Sequence, residues 1–158
     1  MQNDDRKFLQ MAVDLAAENV RSGNGGPFGA VIVKNGQVVA TGVNSVTSNL
    51  DPTAHAEVVA IRNATRKLNS FQLNECTLYS SCEPCPMCLG AIYWARPQRL
   101  VFATSKNDAA DVGFDDAFIY DEIGKPYASR SLTTEYIAED GFKLPFRLWQ
   151  QNEDKIEY

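Results

Sequence analysis

Histidine is almost missing from this sequence, since His55 is the single one among 158 residues. A Ser-His-Asp triad could therefore be built only around His55, and no metal site can contain two histidines. Uninterrupted apolar runs are also short, as in residues 30–33, and fall far below the roughly 20 residues needed to cross a bilayer. The N-terminal residues are polar and lack the apolar stretch of a secretory signal. We therefore expect a cytoplasmic protein that has no membrane partner.

The sequence has only four cysteines, and its basic residues are fewer than its acidic ones. The four cysteines, at positions 76, 82, 85 and 88, stand in a chain without a secretory signal, where thiols or metal ligands are commoner than disulfides. Fifteen Lys and Arg residues face 20 acidic ones, which gives a formal net charge of −5. Because phosphate backbones attract basic surfaces, this balance argues against nucleic acid as the partner.

Neither repeats nor low-complexity linkers divide the chain, so we interpret residues 1–158 as one domain. A helix is predicted from Asp4 to Arg21, ending at Gly23, because apolar residues recur there at helical spacing. Those apolar positions are Phe8, Met11, Ala12, Leu15, Ala16 and Val20. Asn35-Gly36 is a strong hairpin signal and predicts flanking strands over residues 28–34 and 37–43.

Helices and strands then alternate along the chain. Asp51-Pro52 resembles a helix start and predicts a helix to about Leu68. A strand over 76–81, a helix over 84–96 and a strand over 99–104 follow, which implies a partly parallel sheet covered by helices. Beyond these elements we expect a helix over 114–123, a strand over 132–138 and a helix from about residue 144.

Four residues form a candidate catalytic constellation. Cys85 and Cys88 are three residues apart and would share a helix face, in a first turn whose amides favour the thiolates that zinc needs. With His55 at the start of another helix, three ligands could bind one Zn²⁺ and leave the fourth position for water, as in catalytic zinc sites. Glu57 is the candidate proton shuttle, although residues two apart on a regular helix point about 200° apart.

Two other interpretations fit these residues. Cys82 could complete a closed, structural zinc site with His55, Cys85 and Cys88. Cys85 and His55 could instead form a nucleophilic pair, but this interpretation leaves Cys88 and Glu57 unexplained. Where they bind no metal, Cys76 and Cys82 are small hydrophobic residues at a strand and its end.

Three longer segments carry a resemblance to a known family. They are Gly-Pro-Phe-Gly-Ala-Val-Ile-Val at 26–33, Asp-Pro-Thr-Ala-His-Ala-Glu at 51–57 and Ser-Cys-Glu-Pro-Cys-Pro-Met-Cys-Leu-Gly-Ala at 81–91. With the H-x-E and P-C-x-x-C signature, they resemble the cytidine deaminase-like superfamily of zinc deaminases over roughly Phe8 to Tyr120. The resemblance implies a three-layer α/β/α fold around a five-stranded mixed sheet.

Within the superfamily, segments 91–96, 110–116 and 155–158 make the chain most similar to bacterial guanine deaminases. This similarity implies hydrolysis of guanine to xanthine and ammonia. Glu57 would pass a proton from water to ring nitrogen N3, while Asp116 would help proton transfer or hold the leaving amine. The nearest alternative is a tRNA adenosine deaminase, which shares the zinc motifs but usually has a more basic surface. Cytosine or pterin-like substrates and a non-catalytic zinc module are further alternatives.

Substrate contacts are also implied by this similarity. Phe28 or Trp94 would stack on the base, Asn44 would hydrogen-bond it, and Tyr158 would reach a substrate pocket. Plainer roles are open: core aromatics for Phe28 and Trp94, a turn residue for Asn44, a helix cap for Asp116 and a frayed terminus for Tyr158. We expect a homodimer in which the segment of about 144–158 is exchanged and covers the partner's pocket.

Overall fold

A computed structural model describes residues 3–158, and it forms two units, one up to Asp116 and one spanning Ala117–Tyr158. The elements are, in chain order, α1 Asn3–Arg21, β1 Gly29–Lys34, β2 Gln37–Val43, α2 Val46–Asn49, α3 Ala56–Leu68, β3 Cys76–Cys82, α4 Pro86–Ala95, β4 Arg99–Thr104, α5 Lys106–Ala110, α6 Ala117–Gly124 and α7 Leu144–Gln151. None of the helices described is long and apolar enough to cross a membrane.

The sheet of the first unit is mixed. Its order is β2-β1-β3-β4, with β1 antiparallel to β2 and β3, and with β3 parallel to β4. The hairpin prediction is confirmed, because Asn35 and Gly36 turn the chain with φ of 51° and 74°. The expectation of five strands is wrong, since four strands form the sheet of the described residues. Residues 132–138 are irregular in this chain, because a strand needs a neighbour to pair with and no described strand pairs with them.

Helices cover both faces of this sheet, as the resemblance implied. Side chains alternate along β1, so that Val31 and Val33 belong to the core beneath α1. Ala30 and Ile32 belong to a second core with residues of α3 and α4. Gly42 brings the first turn of α3 close to β2, because a Cβ at this position would overlap the carbonyl oxygen of Ala56. The start of α3 is thereby fixed against the sheet.

The first helix follows its prediction except at one position near its C-terminal end. Phe8, Ala12 and Ala16 are buried against the sheet, in agreement with the expected apolar face. Val20 was expected on that face but is 51% exposed, whereas Asn19 is 4% exposed. The residue that follows Ala16 on the buried face is three positions further along the chain, not four. The buried side chain is therefore the polar Asn19 and not Val20.

The predicted start of the second long helix is wrong by several residues. Asp51 caps a turn instead, since its Oδ1 accepts hydrogen bonds from the backbone N and the Oγ1 of Thr53 at 2.8 and 2.7 Å. Such an Asx turn competes with helix formation. Regular helix begins only at Ala56, and His55 is its N-cap.

The second unit consists of α6, two 3₁₀ turns and α7. The helix predicted over 114–123 is shifted to Ala117–Gly124, while the helix predicted from about 144 is confirmed. Glu122 fastens the connection after α6, because its carboxylate accepts hydrogen bonds from the backbone N and the Oγ of Ser131 at 2.7 and 2.8 Å. None of the residues from Ala117 to Tyr158 is buried within this single chain.

Candidate active site

Two helix N-termini bring the candidate metal ligands together. His55 is the N-cap of α3 and has extended backbone angles, φ −70° and ψ 155°. Cys85 is the N-cap of α4, with φ −65° and ψ 168°, and Pro86 is the first residue of that helix. Cys88 lies in the first turn of α4, where its backbone N–H donates to Cys85 Sγ at 3.5 Å. Exposed N–H groups at both helix starts favour anionic ligands such as thiolates.

The ligand atoms have the separation that one zinc ion requires. His55 Nδ1 lies 3.6 Å from the Sγ atoms of both Cys85 and Cys88. Tetrahedral zinc with ordinary bond lengths places a nitrogen and a sulfur ligand about 3.5 Å apart. One nitrogen and two sulfur donors are also the ligand types that zinc prefers. Among the described residues these three form the group able to hold a metal ion, and Cys82 lies outside it. The closed four-ligand alternative therefore lacks its fourth ligand.

Glu57 lies beside the ligands in a buried position. It is in the first turn of α3 and is 6% exposed. Its Oε1 accepts a hydrogen bond from Ser80 Oγ at 3.1 Å, and its Oε2 accepts one from Cys88 Sγ at 3.4 Å. Burial raises the pKa of Glu57 above the ordinary value for a carboxyl group. A buried carboxyl group beside the metal ligands is a candidate for proton transfer.

The pKa values of the three candidate ligands are shifted in different directions. Hydrogen bonding with Cys88, together with the nearby His55, lowers the pKa of Cys85 to about 4. The same bond and burial raise the pKa of Cys88. The hydrogen bond with Cys85 raises the pKa of His55. Cys85 is therefore the readily ionised thiol, and metal binding would displace the proton of Cys88.

A cavity of about 680 Å³ opens beside this cluster. Of the predicted site residues, the cavity is lined by Phe28, Asn44, His55, Glu57, Cys85 and Asp116. Phe114 also lines it and meets Phe28 edge to face, with ring centroids 5.0 Å apart. Burial and the nearby charge of Cys85 raise the pKa of Asp116. The volume is within the range of small-molecule sites.

Asn44 has a defined orientation at the cavity wall. Its side-chain Oδ1 accepts hydrogen bonds from the backbone N–H groups of Gly26 and Val46, both at 3.4 Å. The oxygen of the amide is thereby assigned, so Nδ2 is the atom left to donate toward a ligand.

Two predicted substrate contacts are not among the cavity-lining residues. Trp94 lies on α4 and is 64% exposed. Tyr158 ends the second unit and is 68% exposed.

A family comparison agrees with this geometry. Residues 2–104 match the family described as the cytidine and deoxycytidylate deaminase zinc-binding region. The chain belongs to this zinc deaminase family. Zinc is accordingly its cofactor, and His55, Cys85 and Cys88 supply a donor set that fits the ion.

Individual relatives of this deaminase point to two substrate classes. It is 54% identical to guanine deaminase from Bacillus subtilis over 151 residues, covering 96% of this chain and 97% of that one. A solved structure of that relative matches with a TM-score of 0.96 and 52% identity, over 100% of this chain and 99% of that chain. tRNA-specific adenosine deaminase from Buchnera aphidicola subsp. Baizongia pistaciae is 38% identical over 89% of this chain and 85% of its own. A structure of an NE0047 variant in complex with 8-azaguanine matches with a TM-score of 0.68 and 32% identity. The match covers 71% of this chain and 64% of that chain.

Sequence reasoning about this deaminase missed several residues around the site. Ser80, the partner of Glu57, is a polar residue on the face of β3 that also carries buried Leu78. Polar residues on an apolar strand face need a partner, and this signal was available in the sequence. Lys106 lines the cavity from the start of α5 and Phe114 from the loop after α5, and no local pattern marks them.

Proposed function

We propose that this deaminase hydrolyses guanine to xanthine and ammonia. The observation that carries the proposal is the 54% identity with a guanine deaminase over nearly the whole of both chains, combined with an intact zinc-ligand set and a buried Glu57. The lower identity with tRNA-specific adenosine deaminases and the net charge of −5 make a nucleic-acid substrate the weaker candidate.

Water activation would begin between the metal ligands and Glu57. His55, Cys85 and Cys88 would hold zinc, which would supply the Lewis acidity that makes hydroxide available near neutral pH. Glu57 would accept the proton of the attacking water and deliver it to ring nitrogen N3 of guanine. Its burial supports this role, because a raised pKa lets the carboxyl group carry a proton between donor and acceptor. Ser80 holds the carboxyl group in place through Oε1.

The departing amino group must be protonated before ammonia leaves. Asp116 lines the cavity and has a raised pKa, so it can deliver or hold a proton there, as Glu57 can. Hydroxide derived from the attacking water would form a C–O bond at C2 of guanine. Transfer of the proton of this new hydroxyl group to the amino group, through Glu57 or Asp116, would then break the C–N bond, release ammonia and leave the carbonyl group of xanthine. Stabilisation of the developing charge by these groups would offset the loss of ring resonance.

The base itself would lie between aromatic and amide groups. Phe28, supported by the edge contact of Phe114, offers a face on which a purine can stack. Asn44 Nδ2 would donate a hydrogen bond to an acceptor on the ring. Trp94 and Tyr158 are proposed as contacts made in the assembled enzyme, because both are exposed in the single chain.

The assembled enzyme would be a homodimer in which the C-terminal segment of about 144–158 is exchanged. Support comes from the unit that spans Ala117–Tyr158, which buries none of its residues in the single chain. It exposes large apolar side chains, namely Phe118, Ile123, Leu132, Tyr136, Ile137, Phe142, Leu144, Phe146, Leu148, Trp149 and Ile156. Such a density of exposed apolar surface indicates an interface, and exchange of a terminal segment between identical chains is a low-cost way to cover it.

To test the choice of substrate, ammonia release by the zinc-loaded protein is measured with guanine, adenine, cytosine and a tRNA that carries adenosine in its anticodon loop. We expect the highest kcat/KM for guanine. A higher value for tRNA adenosine would replace guanine with the nucleic-acid substrate, and zinc without release from any of them would favour a binding module.

A further inference from the structure

A buried side-chain amide lies on α1, outside the cavity. Asn19 is 4% exposed, close to the C-terminal end of α1. Its Nδ2 donates two hydrogen bonds of 2.9 Å, one to the carbonyl oxygen of Gly26 and one to that of Asn44. Gly26 and Asn44 both line the cavity, whereas Asn19 does not. One side chain outside the cavity thus connects two segments of its wall.

We propose that Asn19 is a positioning residue for substrate recognition and acts through Asn44. This inference rests on the proposed function, in which Asn44 hydrogen-bonds the base. No described residue of α1 lines the cavity. Through Asn19, this helix would nevertheless determine the position of the hydrogen bond between Asn44 and the base.

Hydrogen-bond lengths indicate which contacts set the position. The bonds that orient the side chain of Asn44, from Gly26 N and Val46 N, are 3.4 Å and therefore weak. The bonds from Asn19 to the two backbone carbonyls are shorter by about half an ångström. Asn19 therefore holds the backbone of residues 26 and 44 together with Phe28, whose backbone N–H donates to the Gly26 carbonyl at 2.9 Å and whose carbonyl accepts from Asn44 N at 3.1 Å. The side chain of Asn44 follows that backbone.

The backbone around Asn19 is closely packed, which restricts the positions of the glycine-rich loop and Asn44. A Cβ on Gly25 would overlap the carbonyl oxygen of Asn44 and would approach Asn19 Nδ2 to 3.0 Å. The backbone N of Asn24 also donates to the carbonyl oxygen of Asn19 at 3.1 Å, which ties the glycine-rich loop to the end of α1. Because a buried amide without partners is costly, Asn19 has one satisfactory position, and the loop and Asn44 are placed relative to it.

Replacing one atom tests the proposal. Asn19→Asp has nearly the same shape, but it turns the donor into an oxygen that faces two carbonyl oxygens. We expect about a tenfold weaker binding of 8-azaguanine by calorimetry and a similar rise in KM for guanine, with kcat changed by no more than about threefold. Zinc content should stay at one ion per chain. Asn19→Leu, which also lacks the donor, should show the same pattern.

Asn63 provides a control at an exposed position away from the cavity. Asn63 on α3 makes the same type of bond, from Nδ2 to the carbonyl oxygen of Thr41 on β2 at 3.0 Å, and it does not line the cavity. Asn63→Asp should change 8-azaguanine binding by less than about twofold. If both Asn19 variants lose zinc or fail to fold, the role of Asn19 is structural and the proposal is wrong.

A double-mutant cycle tests the route through Asn44. In an Asn44→Ala background, Asn19→Asp should weaken binding by less than about twofold, because the group it positions is already gone. Independent, multiplying effects of the two substitutions would overturn the proposal, as would wild-type affinity in Asn19→Asp. If the wild-type enzyme prefers another base, the guanine assignment fails. The same cycle is then measured with that base, and the same coupling is expected.

Discussion

His55 and Glu57 are only two residues apart, yet both side chains reach the sulfur of Cys88, His55 Nδ1 at 3.6 Å and Glu57 Oε2 at 3.4 Å. On a regular helix, residues at this spacing would point in nearly opposite directions. They converge because α3 begins between them: His55 is an extended N-cap and Glu57 is in the first helical turn. The position of the helix start therefore brings a proton carrier beside the metal ligands.

Glu57→Gln should separate metal binding from proton transfer. The amide keeps the size of the side chain and removes none of the three ligands, so zinc and 8-azaguanine should still bind. Turnover of guanine should fall at least about a hundredfold, in line with the usual contribution of a general acid–base group. Metal analysis, calorimetry and steady-state kinetics measure the three quantities. Turnover close to the wild-type rate would remove Glu57 from the mechanism.

The cysteines provide a matched pair for the metal site. Cys88 belongs to the ligand group, whereas Cys82 lies outside it and its Sγ contacts the carbonyl oxygen of Ser105 at 3.5 Å. We expect Cys88→Ala to lose both zinc and activity, and Cys82→Ala to retain one zinc per chain. Metal content after gel filtration measures this difference. Loss of zinc from Cys82→Ala would restore the structural-site interpretation.

The sequence predicts the ligands better than it predicts their geometry. His55, Cys85 and Cys88 are recognisable from type and spacing, because zinc chemistry restricts both. Spacing could not show that Glu57 faces the same point, since the turn capped by Asp51 delays the start of α3. That turn depends on a side-chain bond that competes with the helix.

Other differences arise from contacts between distant parts of the chain. The apolar pattern of α1 favours Val20 as a buried position, but Asn19 is buried because Gly26 and Asn44 offer it two carbonyl acceptors. Residues 132–138 contain Thr, Tyr and Ile, which favour strands, and they remain irregular because β-structure depends on a pairing partner. Short-range patterns contain neither kind of information.

The buried hydroxyl of Tyr79 should make the free energy of unfolding fall at high pH. Its hydroxyl donates to Asp5 Oδ1 at 2.7 Å, and burial together with this bond raises its pKa to about 12. A raised pKa means that the folded state favours the protonated hydroxyl, so the stabilisation is complete below about pH 10 and is lost as the pH rises through about 12. The free energy of unfolding in urea should therefore differ between wild type and Tyr79→Phe at pH 9, and less at pH 12. Tyr93→Phe, at an exposed position, is the control, and an equal pH dependence in wild type and Tyr79→Phe would contradict the assignment.

Deleting Lys155 to Tyr158 tests the exchanged C-terminal segment. The deletion removes no zinc ligand and no buried residue, so folding and metal content should survive. Guanine turnover should fall at least about tenfold, because the tyrosine would no longer help to close the pocket and exclude water. Tyr158→Phe, which keeps the ring, shows how much of the loss belongs to the hydroxyl group.

The same deletion can show whether the segment acts in the partner's site. A truncated chain has an intact Glu57 but no tail, and a Glu57→Ala chain has the tail but no proton carrier. If the segment crosses between subunits, mixed dimers contain one site with both parts, and co-refolding the two inactive proteins should restore part of the guanine turnover. If the segment covers the pocket of its own chain, the mixture should stay inactive, since no site then regains both parts. Full activity of the truncated enzyme alone would mean that residues 155–158 contribute nothing to the pocket.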